Sequence, residues 1–281
     1  MRARLTSGVL AAVIGLMTIG AAPASAQLTD LVSESAFRVC ADPANMPMSS
    51  ESGEGFENEI AEHFAEALDR ELQYTWFPMA LGFLRNTLLA YRCDVIIGYA
   101  QGDEMVLNTN HYYTSTYVIV TRSDSDIADV ETIADPRLQD KRIGVIAGTP
   151  PATHAARHGL MQNARAYDLM VDRRVESPSH DMIADLLAGE IDAALLWGPV
   201  AGPLVKAEGD ALTMTPLLKE QGTPRLFYRI TMGVRQGEDN WKRQLNSLIR
   251  QEQEAIDAIL ARHGVPLVND MGTSLKAELA R

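Results

Sequence analysis

Residues 37–56, FRVCADPANMPMSSESGEGF, set a short β-type run (Phe37 to Ala41) ahead of a loop rich in Pro and Ser, then a glycine pair, Gly53 and Gly55, that opens an amphipathic helix. In an open α/β sheet, ligands sit outside the carboxyl ends of the strands, so a strand followed by a long irregular loop before its helix marks a working edge. The helix supports this. Phe56, Ile60, Phe64 and Leu68 recur every fourth residue while Glu57, Glu59, Glu62 and Glu66 face elsewhere, as in a helix lying on a sheet.

Toward the C-terminus the rhythm continues. Leu72 to Phe77 predicts a strand closed by Pro78, Phe83 to Tyr91 a helix on which Leu84 and Leu88 share a face, and Cys93 to Tyr99 a buried strand leading into the polar loop 100–110. Parallel neighbours need crossover helices, so this βαβαβ order implies a mostly parallel sheet. A strand over Tyr113 to Val120 follows, and the rhythm then restarts. Arg142 to Ala147 predicts a strand, Pro150 opens a helix, Ser179 caps another that ends at Gly189, and Ile191 to Trp197 predicts the next strand. Leu226 to Val234 returns the chain to a long helix whose stripe is Trp241, Leu245, Leu248, Ile249, Ile256, Ile259 and Leu260, stopped by Gly264 and Pro266. The expected organisation is two α/β lobes: 27–121 with 230–281, and 122–229, with chain crossings near 121 and 229.

Toward the N-terminus, Arg2 and Arg4 precede an apolar run from Leu5 to Ile19, and Ala24-Ser25-Ala26 supplies the small residues of a cleavage site. Residues 1–26 are therefore expected to be a cleaved secretory signal, with the mature chain starting at Gln27. Losing Arg2 and Arg4 takes the net charge from -12 to -14. That balance excludes phosphate backbones and anionic membrane surfaces as partners, since both demand clustered Lys and Arg. The two cysteines, Cys40 and Cys93, permit one disulfide in an oxidising compartment and exclude a thiol-rich metal site. The strand order makes their strands neighbours, so a Cys40–Cys93 disulfide is expected, against the objection that Cys40 lies late in one strand and Cys93 early in the other, an offset of roughly 10 Å in register.

Two α/β lobes joined by two crossings resemble the type II periplasmic solute-binding proteins. A narrower resemblance rests on RVCADPANMPMS (38–49), GEGFENEIA (53–61), GFLRNTL (82–88), RCDVIIG (92–98), GTPPA (148–152), WGPVAG (197–202) and IDAILARHGVPL (256–267). Seven stretches in order over the whole mature chain are similar to the solute-binding-like accessory proteins of PQQ-dependent quinoprotein methanol dehydrogenases, the MoxJ/XoxJ type. The resemblance implies a periplasmic, monomeric, non-catalytic binding protein without a cofactor. It would serve the dehydrogenase, and possible further partners are its c-type cytochrome and an ABC permease.

Amino-acid receptors of the superfamily hold the α-carboxylate with an Arg after the strand matching Cys93 to Tyr99, and the α-amine with an acid after the strand matching Ile191 to Trp197. Buried charges need opposite partners. Here those positions read Ala100-Gln101-Gly102-Asp103 and Trp197-Gly198-Pro199, so a zwitterion lacks both anchors. The residues expected to line the cleft are Asp42, Asn45, Met46, Met48, Tyr99, Gln101, Asp103, Gly148, Thr149, Pro150, Trp197 and Pro199. Pro43, Pro47, Pro151 and Pro203 are expected to add to its apolar edge. Gly148 and Thr149 could offer backbone N–H groups, although Pro150 and Pro151 remove two helix N-terminal donors. His154 and His158 have metal-ligand spacing, but HAARH lacks the Glu of the zinc-protease motif, and a solvated face is expected, with no metal. Met46 and Met48 are read as pocket lining, Trp76 and Phe83 as core, and Arg85 as either a cleft charge or a surface ion pair. A carboxylate site from Asp42, Asp103 and Glu104 would be the one catalytic option; no nucleophile elbow, P-loop or dinucleotide turn occurs. The competing function is a transporter receptor for a small solute other than a free amino acid.

Overall fold

A computed structural model describes residues 31–279, so the leader and cleavage site expected within 1–26 lie outside the described residues. The principal elements are β1 (Ala36–Ala41), α1 (Phe56–Ala67), β2 (Glu71–Trp76), β3 (Val95–Ala100), β4 (Tyr113–Arg122), β5 (Ile143–Ile146), α2 (Pro150–Arg157), β6 (Arg165–Tyr167), α3 (Pro178–Leu187), β7 (Ala193–Trp197), α4 (Gly198–Ala207), β8 (Leu212–Pro216), β9 (Phe227–Val234), α5 (Asp239–Gln251) and α6 (Gln253–Arg262). They form one curled mixed sheet in the order β2-β1-β3-β9-β4-β7-β5-β6, with β8 on β4. Helices cover both halves, which is the α/β two-lobed class expected from the sequence.

The first lobe is built on the parallel trio β2-β1-β3. Strand alternation sends Phe37, Val39 and Ala41 to one face, against Phe56, Ile60 and Phe64 of α1 and Trp241 and Leu245 of α5. Cys40 and Ile96 point to the other face with Phe83, Leu88 and Cys93. Asp94, fully buried, holds this lobe together: its carboxylate accepts from Arg38 at 2.6 and 2.7 Å and from Arg235 at 2.6 Å, while its carbonyl accepts from Trp241 Nε1. β1, β3, β9 and α5 thereby meet at one charge. The second lobe packs both faces of β4, β7 and β5, with Ile119, Val145 and Leu195 on one and Val118, Val120, Leu186 and Leu196 on the other.

β4 belongs to both lobes. Its residues 113–116 pair with β9, its residues 117–121 pair with β7, and its residues 118–122 pair with β8. Partner exchange falls between Thr116 and Tyr117, ahead of the crossing expected near 121. β8 and β9 lie end to end along the same edge of β4, separated by the excursion 217–226. Tyr117 closes that excursion, its N–H donating to Leu226 O and its carbonyl accepting from Leu217 N.

Two helices differ from expectation. Thr87 adopts φ -122° and ψ -88° and donates its hydroxyl to Phe83 O, so the helix expected over 83–91 is a turn at Phe83–Asn86 followed by a 3₁₀ turn at Leu88–Ala90. A threonine bonding back four residues competes with the helical ladder. The long C-terminal helix breaks at Glu252 into α5 and α6, with Glu252 paired to His63 of α1 at 2.8 Å. All seven stripe residues remain buried, so the break lets both halves face the same core.

Cys40 and Cys93 are disulfide-bonded, with Cα atoms 5.4 Å apart. The strand register pairs Cys40 with Ile96, and backbone bonding continues back to Asp94, whose N–H donates to Arg38 O. Cys93 lies just ahead of β3, and the short Cα separation shows that the chain there bends toward Cys40 rather than extending the strand. Closing a loop with a sequence separation of 53 residues is worth ~4 kcal/mol by the chain-entropy account. Urea unfolding of oxidised and reduced protein should therefore show the reduced form less stable by up to about that amount; equal midpoints would show that the bond constrains nothing.

Candidate functional site

A cleft of about 670 Å³ opens between the lobes, over the point where β4 changes partners. The loop after β1 supplies Pro43, Asn45, Met46 and Met48 on one wall, as expected for a segment leaving the carboxyl end of a strand. β5, the N-cap of α2 and β7 supply Ile146, Thr149 and Leu195 on the other, and residues 168–180, running from the loop after β6 into the first turn of α3, close the side. Tyr117, Trp197 and Tyr228 form the floor. Their ring centroids lie 5.1 Å (Tyr117–Trp197), 5.8 Å (Trp197–Tyr228) and 6.4 Å (Tyr117–Tyr228) apart in tilted or edge-on arrangements, the geometry aromatic quadrupoles favour. Burial pushes both tyrosine hydroxyls up, so they stay neutral.

One charged contact spans the walls. Arg173 donates to Asn45 Oδ1 at 2.7 Å and approaches Asp42 Oδ2 at 3.5 Å. Asp42 is itself buried, accepting from Ala44 N on Oδ1 and from Met79 N on Oδ2, so it does not present a free carboxylate to the cleft. Beneath it lies Glu57. Although the residue keeps some solvent contact, its carboxyl packs over Gly98, where a Cβ would fall 1.8 Å from Oε1. Gly98 also takes φ +77°, so position 98 demands glycine on both counts. Burial, and next the charge of Asp42, push the Glu57 carboxyl up to about 8.

Of the twelve residues expected at the cleft, Asn45, Met46, Met48, Thr149 and Trp197 line it, and Asp42 touches it through Arg173. Tyr99 and Asp103 instead bond to each other at 2.6 Å, and Gln101 donates its N–H to Arg229 O; all three stand outside the lining, as do Gly148, Pro150 and Pro199. Pro47 and Pro151 are buried, and neither they nor Pro203 reach the lining. Asp103 and Glu104 lie on the loop after β3, apart from Asp42, so the three form no carboxylate group at the cleft. Thr149 offers no free amide, since its N–H and hydroxyl both donate to Ile146 O. Phe83 is core, Trp76 stacks on Tyr74 with centroids 4.3 Å apart, and Arg85 is exposed outside the cleft. The solvated face expected for the α2 histidines does not hold for His154, which is 1% exposed and donates through Nε2 to Pro224 O, while His158 stays partly exposed.

Sequence reasoning missed Tyr117, Tyr228 and Arg173. The first two sit on the strands predicted to cross, which was a usable signal for a cleft floor. Arg173 lies in the aperiodic run DLMVDRRVESP (168–178), where no pattern aims a side chain.

The profile of the bacterial extracellular solute-binding proteins, family 3, matches residues 37–264. The chain is 30% identical to the protein MoxJ of Methylorubrum extorquens, over 95% of this chain and 97% of that one. Among solved structures, the periplasmic binding protein XoxJ of Methylobacterium extorquens is 42% identical with a TM-score of 0.71, covering 83% of this chain and 100% of that one. MxaJ of Methlophaga aminisulfidivorans is 26% identical with a TM-score of 0.70 over the same shares.

Because the folded protein binds a proton at Glu57 that the unfolded chain releases near pH 4.5, this group's contribution is complete below pH 4.5 and is lost as pH rises through about 8. Across that window one extra bound proton tilts stability by about 1.4 kcal/mol per pH unit. Glu57→Gln should flatten the slope and be more stable than the native protein at pH 8, read by denaturant unfolding at several pH values. An unchanged slope would place the Glu57 carboxyl in water.

Proposed function

The chain belongs to the bacterial extracellular solute-binding proteins, family 3, and from that premise we propose that it is a non-catalytic periplasmic binding protein serving a quinoprotein methanol dehydrogenase, engaged in its maturation or activation. The MoxJ, XoxJ and MxaJ relatives support the association, and the cleft supports the mode of action. The observation that carries the reading is the apolar part of the lining: Met46, Met48, Tyr117, Leu195, Trp197 and Tyr228 face the space. Of the arginines there, Arg173 is engaged with Asn45 and Asp42 and Arg174 with Asp172, which leaves the acids Glu54, Asp168 and Glu176 and no free Arg for a ligand carboxylate. A small zwitterion needs convergent, available charges, whereas Met and aromatic side chains suit an extended apolar segment of a protein partner. A partner segment that prefers one arrangement of the lobes shifts the population toward it, and β4 and the β8–β9 pair are the only crossings among the described residues that such closure must bend.

The second reading is a transporter receptor for a small solute other than a free amino acid. The volume favours it, since about 670 Å³ is within the range of small-ligand pockets, ~300–1,000 Å³.

Binding of purified quinoprotein methanol dehydrogenase separates the two. Trp197→Ala should lower the affinity about 30-fold, the ~2 kcal/mol of an interface anchor. Trp197 also packs on Tyr117 and Tyr228, so Met46→Ala, at a side chain 43% exposed, provides a variant whose weaker binding cannot be ascribed to lost folding. Free amino acids at millimolar concentration should leave the melting temperature unchanged. Native affinity in both variants, with a clear thermal shift from any small solute, would return the protein to the receptor class.

A further inference from the structure

The second lobe holds a cluster that the cleft does not use. His154 and His158 stand one turn apart at the end of α2, and Glu220 reaches them from the 217–226 excursion. We propose that these three residues bind a divalent transition-metal ion of zinc's ligand preference, and that the ion pins the excursion to α2.

Each part of the triangle is oriented from outside. Pro224 O lies 2.8 Å from His154 Nε2 and can only accept, so Nε2 carries the proton and a neutral ring leaves its lone pair on Nδ1. That atom is buried and has no hydrogen-bond partner. Glu220 is fixed the same way: its Oε2 accepts from Thr132 Oγ1 at 2.6 Å and Ile133 N at 2.7 Å, leaving Oε1 toward the two rings. Backbone carbonyls on a ligating histidine and hydrogen bonds on a ligating carboxylate are the supports that metal ligands characteristically carry.

The distances fit an ion. Oε1 lies 3.5 Å from His154 Nδ1 and 3.3 Å from His158 Nε2, and all three atoms are within 4.8 Å of one another. Bonds of ~2.0–2.1 Å at tetrahedral angles place ligand atoms roughly 3.4 Å apart. Charge points the same way. The Glu220 side chain is 3% exposed, and its ion-pair partners among the described residues are these two imidazoles, with no Lys or Arg. A desolvated carboxylate needs a cation, and two imidazole nitrogens with one carboxylate oxygen suit zinc, the fourth position falling to water. His158 is 29% exposed, which gives the ion a way in.

The consequence reaches the cleft. The excursion's ends are bonded to Tyr117, and it feeds directly into β9, which carries Tyr228. Clamping Glu220 to α2 makes the second crossing rigid on the second-lobe side.

The test uses chelator-stripped full-length protein titrated with zinc alone, and with cobalt as a coloured probe. One zinc per chain is expected, with the visible bands of tetrahedral cobalt and a higher melting temperature on zinc addition. His158→Ala, at the most exposed ligand, and Glu220→Gln, which keeps an acceptor for Thr132 and Ile133, should each weaken zinc binding at least about tenfold. His63→Ala, whose partner is Glu252, should bind as the native protein does. Failure of the native protein to bind zinc would overturn the proposal, with a proton left to complete the triangle. So would equal affinity in native, His158→Ala and Glu220→Gln proteins.

Discussion

The structure depends on β4 changing partners halfway along its length. A continuous strand that pairs with β9 through Thr116 and with β7 and β8 from Tyr117 onward makes one sheet of two lobes. The change also leaves the aromatic rings at that point facing a gap rather than a packed layer. Because β8 and β9 lie end to end on the same edge, the return crossing is held by the same strand, and Tyr117 ties the start and end of the excursion between them. Cleft floor, strand crossings and excursion are therefore one construction. α4 reinforces it from the second lobe: a Cβ on Gly198 would fall 2.5 Å from Pro266, and one on Gly202 would fall 2.2 Å from Gly264 O, so this helix docks on the C-terminal segment through bare backbone.

Two carboxyls next to the cleft, Asp42 and Glu57, are turned away from it. Asp42 is spent on two amides and Arg173, and Glu57, raised to about 8, is mostly neutral at pH 7. What faces the space is mixed: methionine, aliphatic and aromatic surface over the floor and walls, Ser50, Ser52 and Glu54 on the first wall, and the charged groups of the 168–180 segment at one side. The closure proposed above would gain from apolar burial and would disturb the Arg173 contact, the one charged bridge between the walls among the described residues.

Strand positions were legible wherever apolar runs were bounded by turn residues, and β1, β3, β5 and β7 fell close to where the pattern placed them. The loop after β1 was legible as a cleft wall for the same reason: its place after a strand is fixed by topology. What was not legible depended on contacts distant in sequence or on side-chain competition. Nothing in RQEQE (250–254) announces a helix break at Glu252, because the partner that accompanies it, His63, lies on another helix. His154 reads as surface because HAARH lacks the Glu of the zinc-protease motif; the residues that bury and orient it, Glu220 and Pro224, come from a loop with no period. Gln101 and Asp103 are expected at the cleft because amino-acid receptors of the superfamily hold ligand with a residue just after this strand, whereas here Gly102, at φ +115°, and the Tyr99–Asp103 bond accompany a loop that stands outside it.

Under the proposed function, the lobes close on a segment of the dehydrogenase. Amide hydrogen exchange of this protein, with and without quinoprotein methanol dehydrogenase, tests it most directly. Protection should rise in 44–48, 168–180 and 195–200, which line opposite walls of the cleft, and should change little in the strands β1 and β3 of the first-lobe core. Unchanged exchange at both walls, or protection confined to surfaces away from the cleft, would contradict it.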